Sequence, residues 1–131
     1  MRKNMHGVTL LELMVVVVIV ALLASIAIPS YRSYVVRTQR SDATAALLRL
    51  AAAQEKFYLQ NNTYTTDEAR VGGALSEHGW YAIEVTEADA QAFTARATPV
   101  EGGPQARDAH CAFFEINEAG EKDATNADCW Q

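Results

Sequence analysis

The chain is 131 residues long, with a formal net charge of −5, 50% hydrophobic residues and two cysteines. Setting aside one long apolar run leaves about 100 residues, room for a single small globular domain and not for two. An acidic balance of this kind argues against a chain built to grip phosphate backbones, which requires clustered cations.

Met1 to Gly7 forms a short basic leader with Arg2 and Lys3, and losing those two cations takes the net charge to −7. Val8 to Ile28 follows as an apolar run interrupted by one charge, Glu12. About 20 apolar residues cross the hydrocarbon core of a bilayer as a helix. A carboxylate costs roughly 2.5–3.5 kcal/mol at the centre of such a helix and less near an interface. Glu12 therefore either pairs with a cation inside an assembly or snorkels to the headgroups. A secretory signal has a shorter core and a small-x-small cleavage site after it. Here the small residue, Gly7, precedes the core. Cleavage after Gly7 would keep the whole run on the mature chain and create an amine on Val8 that a neighbour's Glu12 could meet. Ala21 and Ser25 make a small-xxx-small pair that permits close helix approach, although such residues are common in membrane helices.

Arg2 and Lys3 argue for a cytoplasmic N-terminus and an exported body, while Arg32, Arg37 and Arg40 beyond the span oppose it. Pro29 removes a backbone hydrogen bond and predicts a kink or a local loosening. Past it, Ser41 to Lys56 is built of strong helix formers, so one helix is expected from Thr9 to about Leu59. Ala43, Ala46, Leu50, Ala53 and Phe57 supply an apolar face directed at the head. Gln60 to Asp67 is polar and ends the helix; Asn61-Asn62-Thr63 fits a glycosylation sequon, but an asparagine-rich helix stop explains it.

Strands are expected at Trp80–Val85, with Tyr81, Ile83 and Val85 on one face, at Phe93–Thr98 before Pro99, and at Cys111–Asn117. A short fourth strand fits near the C-terminus. From Gln60 onward four basic residues (Arg70, Arg96, Arg107, Lys122) face thirteen acidic ones, so the stalk is basic and the head acidic. This polarity attracts heads to stalks as subunits stack, or simply keeps the surface soluble.

Cys111 and Cys129 make an even count, as expected for one disulfide in an oxidising compartment, and this decides for the exported body. Free thiols, or a metal held with His110, are the alternatives, but the spacing lacks ordinary zinc-ligand form. His78 and His110 have no evident serine or cysteine partner and read as surface histidines; no catalytic constellation is visible. Asp123, Asn126 and Asp128 could hold calcium, though their spacing is not that of an EF-hand and solvated carboxylates account for them better.

Gly7-x-Thr9-Leu10-Leu11-Glu12, the valine- and isoleucine-rich helix and Ala27-Ile28-Pro29-Ser30-Tyr31 resemble the leader and stalk of the type IV pilin family. Arg107-Asp108-x-x-Cys111, Asn117-x-x-Gly120-Glu121 and Ala127-Asp128-Cys129-Trp130 are similar, more loosely, to minor pilins of the PilE type. The resemblance implies an α+β pilin fold, a long N-terminal helix packed on a small antiparallel sheet of three or four strands. Its parts would be a leader at 1–7, a transmembrane half at 8–28, an amphipathic half at 29–59 and a periplasmic head at 60–131.

The resemblance further implies that a prepilin peptidase cuts between Gly7 and Val8 and methylates Val8. Glu12 would neutralise the N-terminus of an adjacent subunit. The implied partners are a major pilin, other minor pilins, the peptidase and an inner-membrane assembly platform, with no cofactor, metal or enzymatic activity. Val8 stands where the family usually has phenylalanine, which leans toward a minor subunit. Two rival readings are a pseudopilin of type II secretion and a membrane-anchored domain that binds a ligand or DNA and never assembles.

Overall fold

The computed structural model describes residues 7–131, so Arg2, Lys3 and His6 lie outside the described residues. One helix, α1 (Leu10–Asn61), is followed by β1 (Tyr81–Ala88), β2 (Phe93–Pro99), β3 (Phe114–Asn117) and β4 (Lys122–Ala124), with three short 3-10 turns between and after them. The chain divides into two compact units, one ending at Val35 and one spanning Val36–Gln131. The second unit thus begins within α1, well before residue 60, because the sheet needs the lower part of the helix to close its core.

In the first unit α1 opens at Thr9, whose Oγ1 accepts the Glu12 backbone N–H at 3.1 Å. This is an N-cap: the hydroxyl satisfies one of the amides that the first turn leaves unpaired. The helix continues without a break past Pro29. Its most apolar window has a mean hydropathy of 2.9 and buries nothing.

In the second unit the four strands form an antiparallel meander in the order β1-β2-β3-β4. Inward residues alternate along it: Tyr81, Ile83 and Val85; Phe93, Ala95 and Ala97; Phe114 and Ile116. They form one cluster with Ala43, Ala46, Leu47 and Leu50 of α1. The buried helix face is centred on Ala43, Leu47, Leu50 and Gln54, so the expected face was rotated. Ala53 and Phe57 are only partly buried at its margin.

Gln54, wholly buried, is the polar exception. Its Nε2 donates to the Thr65 carbonyl at 2.6 Å and its Oε1 accepts the Thr65 N–H at 3.0 Å. It thereby ties the post-helix chain to the helix. Asn62 ends α1 in the left-handed region at φ 54°, a helix stop that asparagine tolerates well. The third strand starts at Phe114, later than expected, because Ala109–Cys111 turns as a 3-10 segment while Cys111 is bound to Cys129. The outer edge of β1 is covered: Ser76 N–H donates to Tyr81 O and Ile83 N–H to Ala74 O, both at 2.9 Å.

Candidate assembly surface

The sequence-derived sites of the first unit lie on the surface of one helix end. Gly7 has a backbone conformation open to any residue, and a Cβ built there would meet nothing within 4 Å. The fold itself therefore places no requirement for glycine at this position. Glu12 is exposed in the first turn, where a negative charge also complements the positive end of the helix dipole. Sequence reading missed Thr9 as its partner, although Thr-x-x-Glu before an apolar run is the capping-box signal. Large apolar side chains from Val8 to Ile28 are all at least 50% exposed. Ser25 donates its hydroxyl to the Leu22 carbonyl at 2.7 Å, so this polar group in the span is satisfied within the helix.

In the second unit, the face of α1 opposite the core is partly apolar. Leu48, Ala52 and Leu59 recur at spacings of four and seven residues, and Leu48 and Leu59 are 47% and 83% exposed. Arg49, Glu55 and Lys56 are exposed on the same length of helix, and Arg49 pairs with Glu77 at 3.1 Å, with both side chains largely in water.

The head's corner is held by the Cys111–Cys129 disulfide, which bridges 18 residues. Around it His110 Nε2 lies 2.9 Å from the Asp128 carboxylate, and Asn126 Nδ2 donates to the His110 carbonyl at 2.6 Å. His110, Cys111 and Cys129 sit close enough to suggest a metal site, but both sulfurs are spent in the disulfide. Of the calcium candidates, Asn126 and Asp128 turn to His110, whereas Asp123 accepts the Ala124 N–H. Cys111 is bonded and offers no nucleophile.

The two histidines are not unattached surface groups. His78 stacks on Trp80 with centroids 4.5 Å apart, and its Nδ1 lies 2.9 Å from Oδ1 of Asp42. Asp42 is itself buried on α1. Burial pushes its carboxyl up, but the Ser76 hydroxyl and the His78 ring and amide outweigh that and hold it below its ordinary value. No local signal links residues 36 apart in sequence, so this contact was not legible. Arg40 makes a two-pronged pair with Asp108, Nε to Oδ2 at 2.7 Å and Nη2 to Oδ1 at 2.8 Å. That hydrogen bonding raises the arginine further despite its burial. Beside it, the buried Gln105 donates to the Val36 carbonyl at 3.1 Å and to the Tyr81 hydroxyl at 3.0 Å.

Residues 29–115 match the family model described as "Type IV minor pilin ComP, DNA uptake sequence receptor". The chain belongs to this type IV minor pilin family. Residues 2–28 of the pilin also match the prokaryotic N-terminal methylation motif. It is 34% identical over 85 residues to the fimbrial protein EcpC of Eikenella corrodens, covering 65% of this chain and 56% of that one. To the type IV major pilin protein PilE of Neisseria gonorrhoeae it is 37% identical over 87 residues, covering 65% and 52%. A probable minor fimbrial protein of Dichelobacter nodosus is 54% identical over 54 residues, 40% of this chain and 34% of that protein. The pilin spans about half the length of the curated relatives it matches. The crystal structure of the Neisseria meningitidis non-core minor pilin PilV matches with a TM-score of 0.56 at 22% identity, covering 70% of this chain and 88% of that one. That likeness bears on the fold: one long helix on a four-stranded antiparallel sheet is the type IV pilin fold.

Proposed function

We propose that this minor pilin is a structural subunit of a type IV pilus, held in the inner membrane by its apolar helix and later packed into the filament by the same surface. The observation that carries the reading is α1 itself. Its first half exposes every large apolar side chain, and its second half keeps a partly apolar stripe on the face turned from the core. A single copy in water has nothing to cover that surface, whereas lipid first and neighbouring helices later would. Partners of matching chemistry are a major pilin and other minor pilins, a prepilin peptidase acting between Gly7 and Val8 with methylation of Val8, and the inner-membrane assembly platform. Pro29 supplies a point within the helix where one backbone hydrogen bond is missing and local bending is easiest. The Cys111–Cys129 bridge favours a pilin over a type II secretion pseudopilin and an oxidising location for the head. The matched family's description names a DNA uptake sequence receptor. The acidic balance of this head gives that activity no electrostatic support, and nucleic acid is left out of the proposed partners.

Glu12 separates assembly from mere anchoring. Its cost in lipid is offset, in this reading, by the amine of Val8 on a neighbouring stalk. Glu12→Ala should insert and be processed normally, yet its filament-bound to membrane-bound ratio in sheared pili should drop steeply. Leaving one partner of a buried pair uncompensated costs about 3–5 kcal/mol. An unchanged ratio would favour an anchored domain that never assembles.

A further inference from the structure

A recess of about 260 Å³ is lined by Arg37, Arg40, Asp128 and Gln131. It carries charge of both signs. Arg37 is exposed and has no ion-pair or hydrogen-bond partner among the described residues. Arg40 uses only Nε and Nη2 on Asp108, so further guanidinium N–H groups remain to donate. The Asp128 carboxylate is held by His110 but retains acceptor capacity, since a carboxylate offers about four lone-pair sites. Only eight residues of chain lie between Ile28, the end of the apolar run, and Arg37. The cations of this segment also stand on the side of the span where the positive-inside rule disfavours them, and Tyr31 and Tyr34 beside them are 68% and 66% exposed. Assembly through α1 accounts for none of this.

We propose that the recess takes a phosphodiester–ammonium zwitterion, the phosphatidylethanolamine headgroup of the leaflet beyond the span, with the phosphate on Arg37 and Arg40 and the ammonium on Asp128. The lipid source rests on the reading that Val8 to Ile28 crosses a membrane. A recess holding both signs fits a zwitterion better than a bare anion, because Asp128 would repel a second negative charge. Nucleic acid offers phosphodiesters with no cation for Asp128 and would approach a chain of net charge −5. A choline headgroup supplies the charge but no N–H to donate to the carboxylate. Ethanolamine satisfies both ends.

The test has two arms, both on the full chain. In maltoside micelles, amide and guanidinium NMR shifts are followed while glycerophosphoethanolamine, glycerophosphocholine and glycerophosphoglycerol are titrated separately. The ethanolamine ester should shift Arg37 and Asp128 saturably and bind about fivefold more tightly than the choline ester, the worth of one modest charged contact. Arg37→Gln should weaken all three esters by a similar factor. Asp128→Asn should erase the preference for ethanolamine while leaving phosphodiester binding in place. Both side chains are exposed, so neither variant threatens the fold, and near-ultraviolet circular dichroism checks this. Equal response to the three esters, indifference to both variants, or tighter occupation of the same residues by a short DNA duplex would overturn the proposal. The second arm is flotation with phosphatidylethanolamine vesicles. Flotation without ester selectivity keeps the span and removes the recess. Ester selectivity without flotation removes the span and assigns the recess a water-soluble source of the same zwitterion.

Discussion

Leu13 and Leu47 stand on the same helix in opposite circumstances: Leu13 is 56% exposed and Leu47 is wholly buried. The backbone of α1 is the same at both positions, and the residues up to Ile28 are, if anything, the more apolar. What differs is the company. From Val36 onward the sheet supplies Tyr81, Phe93 and Phe114 to cover one face, whereas the described residues up to Val35 pack into no core of their own. Hydrophobicity therefore has two meanings in this pilin. In the second unit it specifies a fold, and in the first it specifies an environment that the chain must find elsewhere.

The sharpest way to break this comparison is to truncate one large apolar residue in each unit. Phe114→Ala empties the centre of the head, where the ring meets Tyr81 and Trp130, and should cost about 3–5 kcal/mol. Leu13→Ala should leave the urea midpoint of the head unchanged, with both read by near-ultraviolet circular dichroism of the full chain in micelles. A comparable loss in both variants would mean that the two units unfold as one. Next in size is the disulfide. Cys129→Ser releases a loop of 18 residues and should lower head stability by roughly 3 kcal/mol, with helicity of the first unit retained. Resistance of the parent to alkylation, and modification of Cys111 in the variant, check the bond itself.

Gln54→Ala tests whether the second unit needs its polar clamp as well as its apolar face. Both Thr65 backbone groups lose their partner, and the expected cost is about 2 kcal/mol, with faster amide exchange at Thr65. The smallest expected effect is a pH dependence. The Asp42 carboxyl is held below its unfolded value, so its contribution is fully present above about pH 4 and fades as pH falls through the folded value. Parent and Asp42→Asn should therefore converge in stability between about pH 5 and about pH 2, the parent losing more. Parallel curves for the two proteins would show that the contact with His78 carries no such linkage.

Most of the backbone plan was legible because it rests on local pattern. The run from Val8 to Ile28, the alanine-rich continuation, the asparagines that end α1 and the alternation of Tyr81, Ile83 and Val85 each state their conformation within a few residues. The leader motif and Glu12 were legible for the same reason. The boundary errors fell where a distant residue intervened. Cys111 was expected in a strand and turns instead, bonded to Cys129. Leu47 and Gln54 stand at the same three- and four-residue spacing from Ala43 and Leu50 as the alanines that mark the expected face, so the period alone does not choose between the two sets.

A spanning-length apolar helix, a charged residue at its head, a small acidic domain and one pair of cysteines can all be read from the order of residues alone. All of these follow from composition and from side-chain periods of two or about 3.6 residues. Folding adds that the buried Asp42 meets His78, that Arg40 is shared between Asp108 and an open recess, and that Arg37 is left with no partner among the described residues. Those facts depend on which surfaces come together when the sheet closes on the helix. Contacts between residues 36 or 68 apart leave no trace in local pattern, because the energy that selects them comes from burying the core around them.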